Sequence, residues 1–205
     1  MKLRIFGLVL LFTLPGCICG LAQGTVAGAN AHSGMIELAA YHGGMVTPPL
    51  PKPSFVLTDT AGAPFDFAHN TRGYVTLLFF GYTHCTSICP TQMAYLAGAM
   101  RQMPKEVTDK IKVVFVTTDP ARDNPHLLRT WLNNFNRSFI GLTGNESAVR
   151  AAQVAAKVPS GGDFTEHAAF VIAYTQDNLG HVIYPAGVTQ ADWMSDLPRL
   201  VQSWK

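Results

Sequence analysis

Cys85 and Cys89 stand four positions apart in a 205-residue chain, inside Phe79-Phe80-Gly81-Tyr82-Thr83-His84-Cys85-Thr86-Ser87-Ile88-Cys89-Pro90. An apolar, strand-like run, Tyr74 to Phe80, leads into this stretch, and a helix-like pattern, Thr91 to Met103, leads out of it. A cysteine pair at such a junction meets the unpaired N–H groups and the positive dipole end of a helix, and both favour thiolate over thiol. With a helix starting by Cys85, four residues at about 1.5 Å rise put the second cysteine roughly 6 Å along the axis on the same face. One soft metal ion can bridge two sulfurs so placed. A disulfide is also within reach, because its Cα atoms stand roughly 4.4–6.8 Å apart. The spacing has one residue more than the Cys-x-x-Cys of a redox dithiol, which widens the bite and favours chelation. Thiolates select copper(I), and an added imidazole also suits copper(II).

Such a centre calls for a third ligand. His167, in Asp163-Phe164-Thr165-Glu166-His167-Ala168-Ala169-Phe170, follows a Gly-rich loop and precedes an apolar strand, so it is the candidate. His84 adjoins Cys85, but in an extended peptide its side chain points away from the sulfur. Met93, one helical turn beyond Cys89, reads as core. Asp119, Arg122 and Asp123 follow a strand whose end should lie near the pair. Capping and ion pairing of the next helix is their simpler role, and an influence on the charge or loops of the site is the alternative.

The elements that must position these residues alternate. Phe55–Asp59 and Pro64–Phe67 predict an N-terminal β-hairpin. The buried strand Tyr74–Phe80 and the cysteine helix follow, then a β-branched run, Lys110–Thr118. Asn124–Phe135 carries helical spacing through Leu127, Leu128, Trp131 and Leu132. Phe139–Leu142 predicts a short strand and Glu146–Val158 a helix. Ala168–Tyr174 and His181–Tyr184 predict a second hairpin, and Ala191–Trp204 a closing helix. This order is thioredoxin-like: an α/β fold with a central mixed β-sheet flanked by helices.

With 48% hydrophobic and 14% charged residues, the chain has the means to build a substantial core. Its formal net charge is +2, from 15 basic and 13 acidic side chains, so no nucleic-acid partner is expected. Residues 1–22 read as an export signal: Met1-Lys2-Leu3-Arg4 is positive, and Ile5–Leu14 is apolar but shorter than the roughly 20 residues of a membrane span. Leu14-Pro15-Gly16-Cys17 resembles a lipoprotein box, which would place a lipid on Cys17. Gly20-Leu21-Ala22 and Ala29-Asn30-Ala31 are alternative cleavage sites. Residues 23–50 read as a flexible linker, with His32, His42 and Met45 as solvated linker residues rather than metal ligands. The domain then runs over 51–205. Export implies the bacterial periplasm or the outer face of the inner membrane, with attachment through the N-terminus. In that oxidising compartment an exposed thiol pair must be kept reduced or metallated by other proteins.

Gly81-Tyr82-Thr83-His84-Cys85-Thr86-Ser87-Ile88-Cys89-Pro90 resembles the signature of the Sco/SenC family of copper proteins. The resemblance runs from about Pro51 to the C-terminus. It takes in Phe55-Val56-Leu57-Thr58-Asp59, Asp119-Pro120-Ala121-Arg122-Asp123, the His167 segment and Tyr184-Pro185-Ala186-Gly187. It implies a thioredoxin fold, a role in assembling the copper centre of cytochrome c oxidase, and copper, Cu(I) or Cu(II), held by Cys85, Cys89 and His167. Glu166 and Ala168 depart from the Asp and Ser usual beside the histidine. The implied partners are the copper-recipient subunit of a respiratory oxidase, a copper donor and a thiol reductant. Three functions then compete. The first is a copper metallochaperone, and the second is a thiol-disulfide oxidoreductase acting through Cys85 and Cys89 without stable metal. The third, a peroxiredoxin- or glutathione-peroxidase-like enzyme, is disfavoured because His167 and this cysteine spacing have no peroxidatic role.

Overall fold

The computed structural model describes residues 41–159 and 169–204. The expected export signal, Cys17, the linker up to residue 40 and His167 lie outside the described residues. Within them the elements are β1 Gly44–Pro51, β2 Val56–Asp59, β3 Pro64–Asp66, α1 Phe67–Asn70, β4 Val75–Gly81, α2 Ile88–Gln102, α3 Lys105–Thr108 and β5 Ile111–Thr117. There follow α4 Pro125–Asn133, β6 Ile140–Thr143, α5 Glu146–Ala155, β7 Phe170–Tyr174, β8 Leu179–Pro185 and α6 Gln190–Gln202.

All strands join one sheet in the order β1-β8-β7-β4-β5-β6-β2-β3. The β4–β5 and β5–β6 pairs are parallel and the others antiparallel, which is the mixed sheet expected of a thioredoxin-like chain. β4 is buried at every residue, which explains its unbroken apolar sequence: a central strand covered on both faces needs no polar alternation. Its side chains still alternate between two cores. Leu77 and Phe79 join the core of α2, α4 and α6, through Met93, Leu96, Leu128, Trp193 and Leu197. Leu78 and Phe80 join the opposite core, with Phe67, Val149 and Tyr174. Both parallel central strands end at the same rim, where Gly81 pairs with Thr117. The loops that leave β4 and β5 are therefore neighbours, outside the carboxyl ends of the strands, where such sheets place their sites.

The linker reading up to residue 50 needs correction. Residues 44–51 form the edge strand β1, antiparallel to β8 from Gly44 opposite Ile183 to Pro51 opposite Leu179. Pro48, Pro49 and Pro51 cannot donate to a ladder, but an edge strand tolerates them, so a Pro-rich composition hid the strand. His42 is no solvated linker residue either. Its backbone N–H and its Nδ1 meet the two carboxylate oxygens of Asp196, at 2.7 and 2.9 Å, and its Nε2 lies 3.3 Å from Asp192. Both ring nitrogens face carboxylates, which leaves neither for a metal. Tyr41, just before it, stacks on Trp204 with Arg199 over its ring.

The hydrogen bond to Asp196 raises the His42 pKa, against a burial effect that lowers it; the charges of Asp196 and Asp192 add to the rise and Arg199 opposes it. A group with a raised folded pKa contributes its stability in full below its unfolded value, near 6.5, and loses it as pH climbs through the folded value. Protection of the β1 amides, taken against the intrinsic exchange rate at each pH, is therefore expected to fall between mildly acidic and alkaline pH. His42→Ala should abolish that pH dependence, as hydrogen exchange followed by mass spectrometry would show.

Candidate metal centre

α2 opens at Ile88, with Ser87 at its N-cap making no side-chain capping bond. The first N–H groups of the helix are thus left facing outward, and the cysteine loop folds back over them. Cys85 Sγ accepts the Cys89 backbone N–H at 3.4 Å. Both cysteines are free thiols, Cys85 partly exposed and Cys89 buried at 5% exposure. The helix starts at Ile88 and not by Cys85, so the two cysteines do not share a helical face: the first sulfur sits in the turn above the helix end and the second inside its first turn.

The two thiols differ electrostatically. Burial opposes ionisation of Cys85, but the N–H groups of Cys89, Ser87 and Ile88, together with the Cys89 thiol, outweigh it and hold the group below its ordinary pKa. Burial dominates at Cys89 and pushes it up to about 12, with the Tyr82 backbone N–H pulling the other way. At neutral pH Cys85 therefore carries more thiolate than Cys89, and the thiolate is the reactive form. Iodoacetamide is expected to modify Cys85 first in the reduced, metal-free chain, at a rate that rises as pH approaches its thiol pKa. Peptide mapping after short exposure would check this; equal labelling of both cysteines would contradict it.

Gly81 makes room for the inner sulfur. A Cβ there would lie 2.9 Å from Cys89 Sγ and 2.7 Å from Phe79. Gly81→Ala is expected to cost about 1–3 kcal/mol by overpacking and to displace the Cys89 sulfur. A thermal melt reads the first effect and Cys89 labelling the second.

The surrounding loop is pinned from β5. Thr83 donates its backbone N–H and its hydroxyl to Asp123, at 2.9 and 2.5 Å. Thr118 donates its N–H to the Gly81 carbonyl at 2.7 Å. His84 turns its Nδ1 inward, 3.1 Å from Thr83 Oγ1 and 3.6 Å from Asp123 Oδ1, with half of its side chain exposed. The peptide here is a turn, so the extended geometry assumed for His84 does not apply, yet its ring is occupied by Thr83 and Asp123. Met93 is core, as its spacing indicates. Asp119 pairs with Arg122 at the surface, as expected of flanking charges. Asn124, not an aspartate, caps α4 by accepting the Leu127 N–H at 2.9 Å.

Among the described residues, no group of three or more His, Cys, Asp or Glu side chains is placed to hold a metal ion. The structure thus brings Cys85 and Cys89 together, with no third candidate ligand beside them among the described residues. Two soft donors at one helix N-terminus, Cys85 in the turn before it and partly exposed, Cys89 in its first turn and given space by Gly81, suit a soft ion of low coordination number. Sequence reasoning missed Gly81, Thr83, Tyr82 and the part played by Asp123. Only the glycine left a local signal, as a small residue closing a strand beside a buried cysteine.

A Saccharomyces cerevisiae mitochondrial protein named SCO2 is 37% identical over 97 residues, 47% of this chain and 32% of its own length. A SCO2-like protein of Rickettsia prowazekii is 38% identical over 96 residues, 47% of this chain and 46% of its own. A Stutzerimonas stutzeri relative is 36% identical over 107 residues, 52% of each chain. The chain thus spans about half, or less, of the length of these relatives. The solution structure of apo Sco1 from Thermus thermophilus superposes with TM-score 0.69 at 28% identity, covering 79% of this chain and 98% of that one. The structure of Bradyrhizobium japonicum ScoI with copper bound gives 0.64 at 28% identity, covering 74% and 99%. The SCO1/SenC family model matches residues 46–202, and the chain belongs to that family.

Proposed function

We propose that the chain is a copper-binding metallochaperone that delivers copper to, or reduces the cysteines of, a copper site in a respiratory oxidase. The observation that carries this reading is the pair of free thiols brought together at the N-terminus of α2, with Cys85 Sγ over the Cys89 N–H and Cys89 Sγ in the space beside Gly81. The copper-bound state of the Bradyrhizobium japonicum relative supports the choice of ion. Copper is here the cargo. Cys85 and Cys89 supply two thiolates, and His167, which lies outside the described residues, supplies the imidazole. Three donors leave one side open, where a ligand from the recipient enters before the first donors leave, so that no free ion is released. The recipient is a copper-site subunit of the oxidase, and a copper donor and a thiol reductant keep the protein loaded and reduced.

The split between the two thiols favours a second reading, a thiol-disulfide oxidoreductase without stable metal. In that reaction the Cys85 thiolate attacks one sulfur of a partner disulfide and expels the other as thiolate. Cys89, giving up its proton, then attacks Cys85 Sγ, which releases the partner's second thiolate and leaves a Cys85–Cys89 disulfide. The partner gains two electrons and this chain loses two. Both readings place the protein outside the cytoplasm, delivered by residues 1–22 and held near the membrane by the lipid on Cys17 or by an uncleaved N-terminus. No helix among the described residues is long and apolar enough to cross a membrane.

Anaerobic titration of the reduced protein with copper, followed by absorption spectroscopy, separates the readings. The metallochaperone gives a thiolate-to-copper charge-transfer band that saturates at one ion per chain. The oxidoreductase gives no stable band, yet reduces a partner disulfide stoichiometrically.

A further inference from the structure

Asp123 is fully buried, and no Lys or Arg closes on its carboxylate: Arg122, its neighbour in sequence, is drawn to Asp119 instead. A buried carboxylate is costly unless hydrogen bonds replace its water. Here three donors do so. Thr83 gives its N–H to Oδ2 and its hydroxyl to Oδ1, and Thr117 gives its hydroxyl to Oδ2 at 2.7 Å. The aspartate is itself immobilised from behind. Its N–H donates to the Asp119 carbonyl at 2.9 Å, and its own carbonyl accepts the Thr143 hydroxyl at 3.1 Å. The side chain thus joins the end of β5 to a turn 40 residues earlier in the chain, while the backbone carbonyl is held from the end of β6.

That turn is the segment that aims Cys85. Between Gly81, held by Thr118, and Ser87 at the cap of α2, the described contacts of the turn include Thr83 to Asp123, the Cys85 N–H to the Tyr82 carbonyl at 3.3 Å, and the Cys89 N–H to Cys85 Sγ at 3.4 Å. The second is a bond within the turn and cannot orient it against the helix. The third reaches the helix from the sulfur, and the first ties the turn's backbone to the loop that follows β5. A simple brace would not need a charge, since apolar replacements of buried charged groups often leave stability unchanged or raise it. A carboxylate does what an apolar side chain cannot: it accepts an N–H and a hydroxyl from the same residue, which fixes both the position and the rotation of the Thr83 peptide.

We propose that Asp123 is the positioning residue of the cysteine loop: through Thr83 it holds the turn so that Cys85 Sγ stands over the N-terminal amides of α2, facing Cys89 Sγ. This rests on the copper reading above for its consequence, though not for its geometry. The Nδ1 of His84 faces the same Thr83 hydroxyl and Asp123 carboxylate.

The test compares Asp123→Asn, Thr83→Val and Thr83→Ser in the full chain. Asn keeps the size of Asp123 but presents one amide N–H₂ where an acceptor stood. Val removes only the hydroxyl, and Ser restores it. Two readouts are taken well below each variant's melting midpoint. The first is exchange of the Thr83 and Cys85 amide protons in the reduced, metal-free protein. The second is copper(I) affinity by competition with a chromophoric chelator. Asp123→Asn is expected to speed exchange at those two amides while the rest of the sheet stays protected. It should also weaken copper binding by roughly 10–100-fold, the usual cost of losing an outer partner of a ligand. Thr83→Val should move both in the same direction by less, and Thr83→Ser should match the wild type. Exchange that rises equally throughout the domain, or wild-type copper affinity in folded Asp123→Asn and Thr83→Val, would overturn the proposal. A wild-type chain that takes up no copper overturns the function proposed above, while the exchange comparison still decides whether Asp123 holds the loop.

Discussion

Alanine at either Cys85 or Cys89 is expected to abolish the thiolate-to-copper band in an anaerobic titration of the reduced protein, and with it stoichiometric uptake. The two sulfurs are not interchangeable, so the variants should fail in different ways. Cys85→Ala removes the partly exposed thiolate that the α2 amides stabilise, and leaves a thiol that burial still pushes up, which binds a cation only by giving up its proton in an apolar surrounding. Cys89→Ala keeps the more acidic thiol but opens a void against Gly81, Phe79 and Phe115. It should therefore lose copper and also melt slightly earlier, by about 1 kcal/mol or so of stability for a small buried group. Disulfide formation disappears in both. A variant with a single cysteine that still bound one copper per chain with native affinity would end the two-sulfur assignment.

With His167 as the proposed third ligand, His167→Ala is expected to weaken copper(II) binding by more than the roughly 10–100-fold that loss of an outer partner costs, because it would remove a donor outright. Copper(I), content with two thiolates, should suffer less. Formation of the Cys85–Cys89 disulfide should proceed as in the wild type, since no imidazole takes part in it. That contrast separates a metal role from a redox role within one variant. Unchanged copper(II) affinity would show that another group completes the centre. Isothermal titration together with the visible spectrum of the copper(II) form checks both halves.

The sequence announced the central strands clearly. Tyr74–Phe80 and Lys110–Thr118 are β-branched and apolar because they are covered on both faces, and the structure places β4 and β5 there within a residue or so at each end. The cysteine junction was legible for a related reason: an unbroken apolar run ends, a run of helical spacing begins, and the reactive residues lie between. Asp123 was not legible. Its partner Thr83 is 40 residues away, and nothing local distinguishes an aspartate that caps the next helix from one that turns back to an earlier loop. Asn124, one position on, took the capping role that sequence assigns to its neighbours. β1 was missed because three prolines, which donate nothing to a ladder, conceal an edge strand paired to β8 alone.

β1 also bears on how the protein tolerates trimming. A chain cut back to Pro51, where the family resemblance begins, would lose the whole of this strand and the His42 clasp on α6, and would bare the outer rim of β8. Such a rim, from Leu179 to Ile183, offers unsatisfied amides and carbonyls to any extended peptide that passes. The segment ahead of the signature is thus a sheath: where it is shorn away, two molecules can close on each other in its place, and a monodisperse sample turns into a self-associating one.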